Sequence, residues 1–74
     1  MGVNDEKMCY VAADPKQPGA AWAVAVDEPG CEKYNARDIA RWLRAGATVM
    51  RVPIQAARNM LSEWKRPTAK GSNK

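Results

Sequence analysis

Histidine and phenylalanine are both absent from this chain of 74 residues, and cysteine occurs only twice. Without histidine, the usual general base near neutral pH is missing. Two cysteines without histidine are too few for a structural zinc site, which needs four ligands. The chain also has no phosphate-binding loop, nucleophile elbow or dinucleotide fingerprint. We therefore expect a protein that is not an enzyme and that needs neither a metal nor another cofactor.

Long apolar runs are missing as well. No stretch approaches the roughly 18 consecutive apolar residues of a membrane span, and the polar start lacks the basic and apolar parts of a secretory signal. The sequence accordingly predicts a cytoplasmic protein with no membrane partner. In that compartment Cys9 and Cys31 are expected as reduced thiols, with a disulfide between them as the alternative.

Large apolar side chains are few, with two Leu, two Ile, three Trp and two Tyr beside six Val and many Ala. A domain of this size buries only about 60% of the surface that its unfolded form exposes. Such a thin core predicts modest stability or completion by a partner, and a homodimer is one candidate. We expect a flexible lead-in over residues 1–7, one domain over residues 8–66 and a disordered basic tail over residues 67–74.

Three short segments have the composition of β-strands: residues 8–13, 20–27 and 47–52. In the second segment, Trp22 and two valines alternate with alanines. This alternation predicts a Trp/Val face on the core and a smooth alanine face outside. The edge of that strand could pair with a second copy of the chain.

Two further segments have helical periodicity. Residues 36–45 follow Asn35, a residue type that caps helix N-termini, and precede Gly46, which can end the helix. A second helix is expected to follow Pro53 and to stop before Pro67. The apolar stripe of the first helix consists of Ile39, Trp42 and Leu43. That of the second consists of Ile54, Ala57, Met60, Leu61 and Trp64.

The predicted order is therefore strand, strand, helix, strand, helix, or ββαβα. Its economical packing is an α+β fold in which a three-stranded sheet carries two helices on one face. The alternative is a helix-turn-helix over residues 36–64. The connection of residues 46–52 is longer than the three or four residues of that motif, which favours the α+β fold.

Charge is divided unevenly along the chain. Residues 1–34 carry a net charge of −3 and residues 35–74 carry +7. Arg37, Arg41 and Arg44 are spaced to share one helix face, opposite the apolar stripe. Guanidinium groups bind phosphates and carboxylates through paired hydrogen bonds. The stripe is either a solvated helix face or a binding site for an anionic partner.

The predicted partner-binding set is larger than this stripe. Arg51 and Arg58 could extend the patch, and Trp64 could act as an interface anchor at a helix end. Lys65 and Arg66 begin the basic tail, and mobile basic tails are attracted to nucleic acid regardless of its sequence. The expected partner is therefore an anionic surface, either of a protein or of a nucleic acid.

The chain resembles small accessory proteins of bacteriophages and prophages. The resemblance lies in its short length, its Ala/Arg-rich composition and its segment from Asn35 to Trp64, NARDIARWLRAGATVMRVPIQAARNMLSEW. It implies a non-enzymatic protein that binds and redirects a host component, as anti-defence and host-takeover proteins do. It assigns a role to no particular residue.

Overall fold

A computed structural model of the chain describes residues 7–66. Its strands are β1 (Met8–Asp14), β2 (Gln17–Val26) and β3 (Thr48–Pro53), and its helices are α1 (Glu32–Arg44) and α2 (Ile54–Glu63). The order ββαβα and the small α+β fold are those that the sequence predicts. The helix-turn-helix alternative is wrong, because β3 lies between the two helices. The expected tail and residues 1–6 of the lead-in lie outside the described residues.

The sheet has the order β2-β1-β3, and both neighbouring pairs are antiparallel. The β1–β2 hairpin turns through Pro15 and Lys16. Asp14 Oδ1 accepts a hydrogen bond from Lys16 N at 2.9 Å, which is a side-chain-stabilised turn. Because this turn is so tight, β2 begins at Gln17, three residues before the start predicted from the sequence.

The two helices lie on opposite faces of the sheet, so the prediction of one shared face is wrong. Ala57 of α2 packs on Cys9 and Val11, whereas Trp42 of α1 packs on Ala12. Adjacent residues of a strand point to opposite faces. The central strand β1 is apolar on both faces, and Cys9 and Val11 on one face and Ala12 on the other are completely buried. Helices on only one side of the sheet would leave the other apolar face of β1 exposed to water.

A β-bulge in β2 decides where Trp22 lies. Two consecutive residues of β1 pair with Ala23 and Ala21, which leaves Trp22 as the extra residue of β2. Trp22 therefore packs on the α1 face, where its ring meets Trp42 edge to face with centroids 6.5 Å apart. Val24 lies on the other face, under α2. The prediction that Trp22 shares one face of the strand with the two valines is thus wrong, because it assumed an unbroken strand.

The alanines of β2 do not form an outer surface either. Ala21 lies in the core under α2, and Ala25 lies in the core under Trp42. Both are buried. The predicted smooth alanine face is wrong because a helix covers each side of the sheet, and the small side chains let those helices approach closely.

Helix α1 begins earlier than predicted, at Glu32, with Cys31 in the N-cap position. Asn35 therefore lies inside the helix and is not its N-cap. Its side chain is only 7% exposed, and its Nδ2 donates a hydrogen bond to the carbonyl of Val26 at 2.9 Å. This bond ties the first turn of α1 to the end of β2.

The end of α1 is the one predicted. Gly46 has a φ of 94°, in the left-handed region that favours glycine. Its N–H donates to the carbonyl of Leu43 and the N–H of Ala47 donates to that of Trp42, both at 3.0 Å. These two bonds form a Schellman motif, which ends the helix and directs the chain into β3.

Candidate partner-binding surface

The arginine stripe lies on the outer face of α1, as the helical spacing predicts. Arg37, Arg41 and Arg44 are all exposed, while Trp42 on the opposite side is buried in the core. The structure thus confirms that the three guanidinium groups share a solvent-facing surface. Arg41 forms an ion pair with Asp38 one turn before it. Arg37 and Arg44 have no ion-pair partner within residues 7–66.

Tyr34 belongs to this surface, although the sequence analysis did not select it. Its side chain is 65% exposed. It lines a shallow depression with Arg37, Asp38 and Arg41, and a second one with Arg37 and Lys33. The signal that could have found it is its position one turn before Arg37, on the same helix face. We call Lys33, Tyr34, Arg37, Arg41 and Arg44 the helix face.

Two leucines expected in the core are instead exposed. Leu43 is 57% exposed and Leu61 is 42% exposed. Helix α1 needs only a narrow contact, because Trp42 fills the space over the alanines of the sheet. Helix α2 similarly packs through Ala57 and Met60. Both helical stripes are therefore narrower than the sequence predicts.

Arg51 and Arg58 are not brought together with the helix face. Arg51 lies on β3, and its Nε donates a hydrogen bond to Asp27 Oδ2 at 2.8 Å. This hydrogen bond to Asp27 raises the pKa of the Arg51 guanidinium. Arg58 lies exposed on α2, the helix that covers the opposite face of the sheet. The structure therefore places these two arginines apart from the α1 stripe.

The last described residues meet the end of α1. Trp64, Arg66, Ala45 and Trp22 line a shallow groove of about 540 Å³, together with Asp14. Trp64 is half-buried in it, so its ring is packed more closely than expected for a freely exposed anchor. Because Ala45 directly follows Arg44, the groove brings Arg66 to the C-terminal end of the helix face.

Gln17 holds this last segment in place. Its Nε2 donates to the carbonyl of Lys65 at 2.6 Å, and its Oε1 accepts from the N–H of Lys65 at 2.9 Å. One amide side chain thus satisfies both backbone groups of Lys65. The chain after α2 is thereby fastened to the start of β2, so that Trp64 and Arg66 reach the α1 side of the sheet.

Both cysteines are free thiols. Cys9 is completely buried, and burial raises the pKa of its thiol. Cys31 is half-buried at the start of α1. Within residues 7–66, no group of three or more His, Cys, Asp or Glu residues is arranged to hold a metal ion. No helix in this part of the chain has the length and apolar character needed to cross a membrane.

One further ion pair joins the start of β1 to the turn after β2. Lys7 Nζ lies 2.6 Å from Glu28 Oε2, and this hydrogen bond raises the pKa of the exposed lysine. Together with the Arg51–Asp27 pair, this ion pair joins two acidic and two basic groups at one end of the sheet. The helix face takes part in neither of these two pairs.

Comparisons of the chain with models of protein families, with curated proteins and with solved structures found no match. The resemblance to phage accessory proteins stays a hypothesis.

Proposed function

We propose that the chain is a small non-enzymatic binding module, of the kind that phage accessory proteins represent, which binds a host protein in the cytoplasm. The helix face is the proposed contact surface, and an acidic protein surface is the proposed partner. The observation that carries the proposal is the position of Tyr34, a largely exposed aromatic side chain among arginines on one helix face. Tyrosine and arginine are the residue types enriched where protein interfaces gain most of their binding energy.

Asp38 favours a protein over a nucleic acid at this site. It lies in the same depression as Tyr34 and Arg37, and it pairs with Arg41. A carboxylate at this point would repel a phosphate backbone, whereas a protein partner can present a basic or hydroxyl group to it.

Charge reversal on the helix face tests this proposal. The variant Arg37→Glu/Arg44→Glu changes two arginines that have no ion-pair partner among residues 7–66. The control Lys16→Glu/Arg58→Glu makes the same change in net charge at two exposed residues outside the helix face. We expect a partner captured from the source-cell lysate after nuclease treatment to be lost with the first variant and kept with the second.

Two results would contradict the proposed contact surface. A partner that binds both double variants like the wild type does not use the helix face. A partner lost from both variants responds to net charge alone. Circular dichroism of each variant checks that the loss does not come from unfolding.

The second candidate function is nucleic-acid binding, and the groove at the end of α1 favours it. Arg66 lines this groove beside Trp22 and Trp64, opposite the carboxylate of Asp14, and Ala45 brings the end of the arginine-bearing helix α1 to it. Arginines and aromatic side chains together are typical of surfaces that bind single-stranded nucleic acid. Such binding weakens steeply with salt, by roughly one unit of log–log slope per phosphate contact. Failure to bind single-stranded DNA or RNA at low salt would exclude this candidate.

A further inference from the structure

The outer edge of β3 has backbone hydrogen-bonding groups that no residue between 7 and 66 occupies. Ile54 N donates to Lys7 O at 2.8 Å, at the end of the β1–β3 ladder. In antiparallel ladders, residue pairs that exchange both hydrogen bonds alternate with pairs that exchange none. Counting from this bond, Thr48, Met50 and Val52 direct their peptide groups toward β1. The residues between them, Val49 and Arg51, direct theirs away from the sheet.

The equivalent edge of β2 is obstructed. Asp27 N donates to Met8 O at 2.9 Å, and the same counting turns the peptide groups of Val24 and Val26 outward. The outward carbonyl of Val26 already accepts the hydrogen bond from Asn35. The bulge at Trp22 also interrupts the strand. Among the described residues, β3 is therefore the strand with the regular, open edge.

Apolar side chains adjoin the open edge on both faces of the sheet. Met50 and Val52 are half-buried on the α2 side, and Val49 is half-buried on the α1 side. On α1, Trp42 makes its aromatic contact toward β2. Crossovers between parallel strands such as β2–α1–β3 are right-handed, which turns the flank that follows Trp42, where the exposed Leu43 lies, toward β3. An open edge with apolar surface on either side favours pairing with another strand.

We propose that the chain forms a two-fold symmetric dimer in which β3 pairs antiparallel with β3 of a second copy. The pairing is centred on Met50, so that Val49 of each copy lies opposite Arg51 of the other. Each of these two opposed pairs exchanges two backbone hydrogen bonds, and the two sheets become one sheet of six strands. A second copy is the occupant argued for because the two outward residues of β3 that have an N–H, Val49 and Arg51, lie symmetrically about Met50, so that each outward group of one copy meets a matching group of the other.

The neighbouring registers are each less favourable for a reason visible in the structure. A register centred on Arg51 places two arginines directly opposite each other, which is destabilising, and it pairs Val49 with Pro53, which has no N–H. A register centred on Val49 pairs Arg51 with Ala47, whose N–H already donates to Trp42 O at 3.0 Å. The register centred on Met50 avoids both losses.

The dimer also gives Leu43 a place on the inner side of the assembly. A two-fold axis perpendicular to the sheet keeps both α1 helices on the same face, with their β3-facing flanks turned toward each other. The helix face points away from the sheet and stays available to a partner. Self-association and partner binding therefore use different surfaces and can be tested separately.

The first experiment measures mass against concentration by light scattering or sedimentation. We expect the wild-type mass to rise from 8.1 kDa toward twice that value as the concentration reaches the high micromolar range. Val49→Pro removes an outward N–H without touching the β1–β3 ladder, because edge strands tolerate proline at such positions. It should weaken dimerisation at least about tenfold, since each copy loses one donor.

Two control variants accompany this substitution. Val49→Thr keeps the N–H and the β-branched shape, and it should dimerise like the wild type. Val24→Pro makes the same change on the outward N–H of β2, and it should leave dimerisation unchanged. Circular dichroism checks the fold of each variant. A wild-type chain that stays monomeric at high micromolar concentration would overturn the proposal, as would a dimer that survives Val49→Pro but is lost with Val24→Pro.

The second experiment tests the register by crosslinking. In the Cys31→Ser background, the proposed centre places residue 50 of one copy opposite residue 50 of the other. This is a non-hydrogen-bonded pair, whose Cα separation of about 4.5 Å suits a disulfide. Met50→Cys should therefore form a covalent dimer on mild oxidation, well ahead of Arg51→Cys. Faster crosslinking of Arg51→Cys would contradict the register centred on Met50.

Discussion

The two outer strands of this sheet have the same role in the topology but different edges. β2 and β3 each pair antiparallel with β1, and neither has a second neighbouring strand within residues 7–66. On β2, Asn35 occupies an outward carbonyl, a bulge breaks the ladder and Gln17 fastens the end of the described chain alongside. On β3, no described residue makes a comparable contact with the outward groups. The difference shows that side chains from distant parts of a chain, more than strand order, determine whether a sheet edge is open.

The largest effect is expected where α1 is anchored on the β2 side. Trp42 is 5% exposed and meets Trp22 of the bulged strand. Trp42→Ala should lower the free energy of unfolding by about 3 to 5 kcal/mol, from lost burial and the cavity left behind. The neighbouring exposed residue provides the control, since Leu43→Ala should cost less than about 1 kcal/mol. Urea denaturation measures both, and equal costs would mean that the packing of α1 has been misassigned.

The next largest loss of stability is expected when the hydrogen bond that covers the outer edge of β2 is removed. Asn35→Ala removes the hydrogen bond to Val26 O and leaves that carbonyl without its partner. The cost should be about 2 kcal/mol, the usual penalty for an unsatisfied buried polar group. Asn59→Ala, an exposed change on α2, should cost less than about 0.5 kcal/mol.

The same substitution sharpens the comparison of the two edges. With Val26 O released, β2 gains an outward acceptor of the kind that β3 already has. With the proposed β3 dimer, Asn35→Ala is therefore expected to associate further at high concentration, which light scattering would detect as masses above that of a dimer. A mass profile identical to that of the wild type would show that Asn35 stabilises α1 but does not prevent another strand from pairing with the outer edge of β2.

A smaller effect is expected from releasing the segment beside β2. Gln17→Ala removes both hydrogen bonds to the backbone of Lys65. Because these bonds are exposed to water, the stability loss should be about 1 kcal/mol. Faster hydrogen exchange at the Lys65 amide is the specific readout. Gln55→Ala, an exposed change on α2, should leave that exchange rate unchanged.

The smallest effect is expected in the central strand β1, which pairs with both outer strands. Cys9 pairs with Val26 on one side and with Val52 on the other, so its ionisation should weaken both. Burial raises the pKa of its thiol above the ordinary value of 9.0. Between that value and the higher folded pKa, the folded state keeps a proton that the unfolded state releases. The stabilisation is therefore fully present below the unfolded pKa and is lost as the pH rises through the folded one.

Alkaline denaturation measures this effect. The free energy of unfolding should fall as the pH rises above about 9, and Cys9→Ala should flatten that fall. Cys31→Ala should retain it, because the half-buried Cys31 is not in the sheet. An unchanged slope in Cys9→Ala would show that other groups, such as Lys7 with its raised pKa, account for the alkaline loss.

The elements of the fold could be predicted from local patterns. Proline and glycine mark the β1–β2 hairpin and the end of α1, and apolar spacing identifies both helices. The arginine stripe was predicted for the same reason, since three residues at helical spacing must share a face. The start of α1 could not be predicted in this way, because Asn35 has the chemistry of an N-cap but its amide is used in a tertiary hydrogen bond to Val26.

The rest of the candidate site could not be predicted because it depends on contacts between distant residues. Nothing local indicates that Gln17 binds the backbone of Lys65, or that Arg66 and Ala45 line one groove. Nothing in the sequence indicates that Arg51 is paired, yet folding places it beside Asp27. The bulge at Trp22 is equally invisible, because an alternating pattern does not reveal an extra residue in one strand.

The sequence by itself determined the order of the elements, the absence of histidine and the alignment of the arginines on α1, because these follow from composition and from the periods of helix and strand. Only the tertiary structure decided that the helices cover opposite faces of the sheet and that, among the described residues, the outer edge of β3 stays uncovered. The physical reason is that side chains alternate along a strand in the same way whether helices cover one face of the sheet or both, so this pattern does not place the helices. Which backbone groups remain unpaired depends on side chains, such as Asn35, that arrive from elsewhere in the fold.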